Sequence, residues 1–256
     1  MTSNPPAQCC TVGFRHEGTP QGTNIRIAGS KHSAYLATPT PEKAKNSTAV
    51  LFLPDIMGIW QNSRLLADEF AARGYLTLLL DTYNGDPIPV NPGKVDIPTW
   101  LSGGSTGDNP HDEAAVDPIV RDAVKVLKEE YGVRKLGAVG YCFGAKYLIR
   151  HFTSGIDAGF IAHPSSVSPD DLAAIEGPLS IAAAELDHIF PAKKRHNTEK
   201  ILQMAGKQYQ LTLYSRVEHG FAVRCDLSQR EQRWAKEQAF YQAIAWFDEH
   251  VWANAF

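Results

Sequence analysis

Gly140, Tyr141, Cys142, Phe143 and Gly144 form the stretch GYCFG, a cysteine framed by two glycines. The apolar run KLGAV precedes it, and a helix-forming segment starts at Phe143. That context predicts a nucleophile elbow, a sharp strand-to-helix turn that holds its central side chain at a helix N-terminus, with small flanking residues permitting close approach. A free thiol has a pKa of about 8.5, and a helix N-terminus with a neighbouring histidine favours the thiolate, which attacks carbonyl carbon. The competing reading is a small buried cysteine packed under a sheet.

A nucleophile in such a turn needs a base and an orienting acid, in the chain order nucleophile, acid, histidine. Asp187 in ELDHIFP follows the apolar run PLSIAAA, and His219 in SRVEHGF follows QYQLTLY, so each is expected at the end of a late strand. Of nine histidines, His219 alone lies between the last strand and the C-terminal helix. His163, closing AGFIAH, is the rival base. Glu185 and Glu218 are the rivals of Asp187, although Glu185 is expected inside its strand and Glu218 adjoins the histidine too closely to hold its ring. Asp55 in LFLPDIMGIW closes another strand, on the loop expected to supply an oxyanion-hole amide from Ile56, with the second amide from Phe143. Beside a thiolate, Asp55 would raise the thiol's pKa and take its proton at rest; an ordinary turn aspartate reads almost equally well.

Short apolar runs alternate with helical-period segments from about residue 24, the rhythm of an α/β protein with a mostly parallel central sheet flanked by helices. NIRIA and SAYLAT read as an opening strand pair, followed by the strands TAVLFL and YLTLLL around a helix NSRLLADEFAARG, capped by Asn62 and stopped at Gly74. Residues 84–111, rich in Gly, Pro and Asp, predict an irregular lid or rim. LSQREQRWAKEQAFYQAIAWFDEHV predicts a long C-terminal helix with Trp234, Tyr241, Ile244 and Phe247 in the core. No linker divides the chain, so one domain is expected over 1–256.

The 256 residues are 43% hydrophobic and 21% charged, with 28 acidic against 25 basic side chains, enough to build a full core. No basic run marks a nucleic-acid or membrane-surface partner, and no run reaches the length of a membrane span. The polar, proline-broken start MTSNPPAQCC lacks the pattern of a signal peptide, which makes a cytoplasmic location the expectation. Cys9, Cys10, Cys142 and Cys225 have no metal-ligand spacing and are expected as free thiols. Cys9 and Cys10 read either as a surface redox pair or, more simply, as part of a docking strand. The expected partner is a small ester, lactone or thioester; no metal or organic cofactor is required, and a homodimer is left open.

With GYCFG followed by AKY, HPSSV after the sixth strand, and EHGFAVR, the chain resembles the dienelactone hydrolase family, especially its fungal members, over nearly its whole length. The resemblance implies an α/β-hydrolase fold and a triad of Cys142, Asp187 and His219. In bacterial members a glutamate at the place of Asp55 pairs with the resting cysteine, and two arginines hold a substrate carboxylate. Here Asn84 stands at the first arginine place and Arg224 matches the second approximately, so the departures concern activation and substrate. The resemblance extends to hydrolases of natural-product pathways, which brings polyketide lactones, esters and thioesters into range. His163, Trp60 and Tyr83 are expected pocket walls and Trp100 a lid residue, each with a packing role as the alternative. A non-catalytic lactone-binding protein and a redox sensor at Cys142 are the competing functions.

Overall fold

The computed structural model describes residues 1–253 and 255. Eight strands form one sheet: β1 (Thr23–Ile27), β2 (His32–Ala37), β3 (Thr48–Leu53), β4 (Leu76–Leu80), β5 (Lys135–Tyr141), β6 (Ala158–Ala162), β7 (Leu179–Leu186) and β8 (Tyr209–Glu218). Their spatial order is β1-β2-β4-β3-β5-β6-β7-β8, antiparallel from β1 through β2 to β4 and parallel from β4 to β8. All six residues of β3 are buried, as a central parallel strand covered on both faces requires. The edge strand β8 is mostly exposed or half-buried instead, with only Tyr214 and Val217 buried.

Helices α1 (Gln61–Ala72), α2 (Ile97–Gly103), α3 (Glu113–Glu129), α4 (Phe143–Arg150), α5 (Pro169–Ala173), α6 (Ala192–Ala205), α7 (Phe221–Arg224) and α8 (Arg230–Phe247) cover the sheet. Two apolar cores result. One contains Leu51, Leu53, Val120 and Leu148, and the other, on the opposite face, contains Phe52, Phe70, Val139 and Phe247. The parallel strands all end on the same side, and the loops leaving β3, β5, β6, β7 and β8 gather there. Such a row of carboxyl ends is where open α/β sheets place their ligands.

Three local expectations are corrected. Trp60, not Asn62, occupies the N-cap of α1, and Asn62 lies in the first turn, where its amide serves the N-terminal segment: Oδ1 accepts from His16 N, while Nδ2 donates to Phe14 O and Val223 O. Trp234 and Tyr241 are 57% and 46% exposed on α8, whereas Ile244 and Phe247 are buried as expected. Residues 84–111 are not wholly irregular, because Asp96 caps α2 within them by accepting from Thr99 N.

Candidate active site

Cys142 sits between β5 and α4 with φ 50° and ψ −109°, a strained conformation for a residue with a Cβ. Such a residue costs on the order of 1–3 kcal/mol and persists only where its surroundings fix it. Here Cys142 N donates to Ala162 O, while Cys142 O accepts from Ala145 N and Ser165 N. The flanking glycines have different tasks. A Cβ on Gly144 would lie 2.1 Å from Leu53 O, and one on Gly140 would lie 2.7 Å from Ala145 Cα. Gly144 therefore lets α4 close onto the end of β3, which brings Phe143 toward the loop carrying Asp55 and Ile56. Gly140 lets β5 fold back against α4. Ile56 is fully buried, as is Cys142.

Asp187 leaves the end of β7 and His219 the end of β8, and the two side chains meet. His219 Nδ1 lies 2.9 Å from Asp187 Oδ2 and 3.1 Å from Oδ1. Asp187 Oδ1 also accepts from the amides of Ile189 and Phe190, at 2.7 and 3.0 Å. Burial alone would raise this carboxyl, but the imidazole and the two amides outweigh it and hold Asp187 below the usual carboxylate range. For His219, burial favours the neutral ring, but the adjacent sulfur of Cys10 and the Asp187 carboxylate prevail and push its pKa up to about 10. His219 Nε2 is buried and makes no hydrogen bond. Cys10 Sγ, Cys142 Sγ and a ring nitrogen of His219 lie within 4.8 Å of one another.

His163 is not placed as a base. It follows β6 with φ 38°, is fully buried, and neither ring nitrogen has a hydrogen-bond partner. Burial, with His219 and Arg224 adding to it, holds its pKa well below the ordinary value, so the ring is neutral. It packs edge-on against His219, ring centres 5.0 Å apart, and limits where that imidazole can swing. Glu185 lies within β7, as expected, and accepts from Arg216 N.

Asp55 forms a second buried pair. Its Oδ2 accepts from Arg224 Nη1 at 2.7 Å, and its Oδ1 accepts from Met57 N. Burial pushes the Asp55 carboxyl up, with Arg224 and the Met57 amide opposing. Arg224 Nε donates to Val12 O. Tyr83, fully buried, donates to Asp55 O and packs against Phe143 and Trp100, so it supports the loop from behind. Trp100 belongs to this packing; it is buried in α2 and donates from Nε1 to Asp86 O. Asn84 lies apart, in an exposed turn with φ 50°, its amide 3.5 Å from Asn109 Oδ1. Trp60 is half-buried against the α8-side core.

The N-terminal segment contributes what the sequence did not reveal. Thr2 N donates to Val167 O, Asn4 N to Ile189 O, Asn91 N to Thr11 O and Phe14 N to Arg224 O, which straps residues 2–14 over the loops after β6 and β7, the 84–111 insertion and α7. A single 3-10 turn, Gln8–Thr11, drives Cys10 inward until its sulfur lies 3.6 Å from that of Cys142. Cys10 is fully buried while Cys9 is exposed, so the pair is not a surface redox couple. Ser165 Oγ is 3.7 Å from Cys142 Sγ. A cavity of about 580 Å³, walled in part by Cys9, Phe14, Leu186 and Phe221, has His219 and Arg224 in its lining. Adjacency of CC near a terminus carries no pattern from which this insertion could be read, and nothing in HPSSV marks Ser165 as a neighbour of Cys142.

The dienelactone hydrolase family pattern matches residues 33–251. The chain is 44% identical to the hydrolase pyvD of Aspergillus violaceofuscus over 98% of its own length and 99% of that protein. It is likewise 44% identical to the hydrolase tropI of Talaromyces stipitatus, again over 98% and 99% of the two chains. The solved dienelactone hydrolase of Anabaena variabilis superposes with a TM-score of 0.67 at 15% identity, covering 91% of this chain and all of that one, a likeness of fold. On its fold and on these matches, the chain belongs to the dienelactone hydrolase family, within the α/β hydrolases.

Proposed function

We propose that this protein hydrolyses a carboxylic ester or lactone by covalent catalysis at Cys142. The observation that carries this reading is the pairing of His219 with Asp187 beside a strained cysteine at a helix N-terminus, with His219 Nε2 free of any hydrogen bond. A histidine protonated near neutral pH stabilises a thiolate beside it. The Cys142 thiolate attacks the carbonyl carbon, and the amides of Ile56 and Phe143 receive the tetrahedral oxyanion. His219 gives its proton to the leaving oxygen, and the acyl group stays on sulfur. The imidazole, now neutral, takes a proton from water, which attacks the thioester carbonyl and regenerates the thiolate. Asp187 orients the ring and compensates its charge throughout.

The substrate class inferred is an uncharged or weakly acidic lactone, ester or thioester, with polyketide intermediates as the first compounds to screen. Arg224 is tied to Asp55, and an exposed Asn84 replaces a second cation, so a substrate carboxylate is not demanded. A cytoplasmic site of action fits four cysteines without a disulfide. Turnover of small activated esters tests the reading: Cys142→Ala is expected to lose at least about 10³-fold in kcat/KM with unchanged folding. Wild-type turnover in that variant would refute it.

A further inference from the structure

Cys10, Cys142 and His219 come from three separate parts of the chain, the N-terminal turn, the β5–α4 elbow and the end of β8, and their side chains converge in a buried cluster. Two thiols and an imidazole form a donor set suited to zinc, which binds thiolate sulfur at about 2.3 Å and imidazole nitrogen at about 2.0–2.1 Å in tetrahedral geometry. Two sulfurs at that distance and a tetrahedral angle stand about 3.8 Å apart; Cys10 and Cys142 stand 3.6 Å apart.

The surroundings complete the case. His219 Nε2 is a buried nitrogen without a hydrogen-bond partner, and the ring's other nitrogen is fixed by the Asp187 carboxylate. A carboxylate on the far nitrogen is the usual second layer of a histidine that ligates metal. Cys10 Sγ accepts from Ala7 N at 3.4 Å, and Ser165 Oγ stands 3.7 Å from Cys142 Sγ. The two thiolates neutralise a divalent ion, while Arg224 and Asp55 balance each other close by.

We propose that Cys10, Cys142 and His219 bind one zinc ion reversibly, with water in the fourth position, and that zinc thereby takes the nucleophile and the base out of the reaction. Binding forms two Zn–S bonds and one Zn–N bond and releases two protons, one from the Cys10 thiol and one held between Cys142 and His219, with no change of oxidation state. The site stands on geometry alone; its inhibitory consequence rests on the reading of Cys142 and His219 as nucleophile and base.

The test uses the full-length protein, reduced and freed of metal. Titration against a chromogenic zinc chelator should give one ion per chain, and cobalt(II) in its place should show thiolate-to-cobalt charge transfer of the strength given by two sulfurs. Cys10→Ser should weaken zinc by on the order of a hundredfold and halve the cobalt band, and the halved band is a change that loss of a merely supporting residue would not produce. The zinc concentration that halves turnover, taken against the variant's own metal-free rate, should rise by the same factor. Cys9→Ser should change none of these. Wild-type zinc affinity in Cys10→Ser, equal losses in Cys9→Ser, or a wild-type cobalt complex without thiolate charge transfer would overturn the site. Stoichiometric zinc on all three ligands with undiminished turnover would instead overturn the catalytic reading, so the two failures are distinct.

Discussion

Two buried carboxylate–cation pairs flank Cys142, and they are built in opposite ways. Asp187 is surrounded by donors: the His219 ring and the amides of Ile189 and Phe190 all reach it, and its pKa falls despite burial. Asp55 has one guanidinium and one amide, and burial prevails in pushing its carboxyl up. The first pair therefore holds a firm anion whose partner ring leaves Nε2 without a hydrogen-bond partner. The second is a tether. Arg224 also donates to Val12 O and receives Phe14 N on its own carbonyl, so it ties the β3 loop and α7 to the N-terminal strap. A short distance between opposite charges does not by itself show what a pair is for; the remaining donors and the neighbours decide that.

The largest effect should separate the pairs by their influence on turnover. Asp187→Asn keeps the shape but no longer favours the correct tautomer and charge of His219, and kcat is expected to fall on the order of 10³–10⁴-fold with a small change in stability. A comparable fall in kcat for Asp55→Asn would erase the distinction between machine and tether. Stability should sort them the other way. Arg224→Met or Asp55→Leu leaves a buried charge without its partner, which should cost about 3–5 kcal/mol in denaturant unfolding, whereas the Asp55→Leu, Arg224→Met double variant should recover much of that loss. Additive losses in the double variant would show that the two side chains do not act as a pair.

A smaller effect lies in acid. Because Asp187 has a depressed pKa when folded, its contribution is fully present above the unfolded value of about 3.9 and is lost as pH falls through the folded value. Unfolding free energy of the wild type should thus drop more steeply below about pH 4 than that of Asp187→Asn, by no more than about 1.4 kcal/mol per pH unit. Parallel curves would mean that the carboxyl titrates alike in both states.

The parts legible in the sequence were those with a local grammar. GYCFG between an apolar run and a helix carries its own geometry, because only glycine at position 144 tolerates a backbone carbonyl where a Cβ would stand. Asp187 and His219 followed from chain order and from strands that end on one side of a parallel sheet. The reach of Cys10 could not follow from such rules, since it depends on where a strap of residues 2–14 lies across segments that are up to 212 positions away in sequence. Asp55 was legible as a strand-end acid, but its partner was not, because Arg224 was read as a ligand for substrate and only the path of α7 aims it at Asp55. Aromatic character does not by itself bury Trp234 and Tyr241: α8 turns them outward, Trp234 edge-on to Tyr214 and Tyr241 beneath the Arg73 guanidinium.

The nearness of Cys10 also defines the most direct test of the whole account. The protein is reacted with a slowly deacylating activated ester, quenched in acid, and the acyl group is located by peptide mass spectrometry. One acyl group per chain, on the peptide containing Cys142 and absent from Cys142→Ala, is the predicted result; an acyl group on Cys10, or rapid turnover with no acyl-enzyme and no loss in Cys142→Ala, would contradict it.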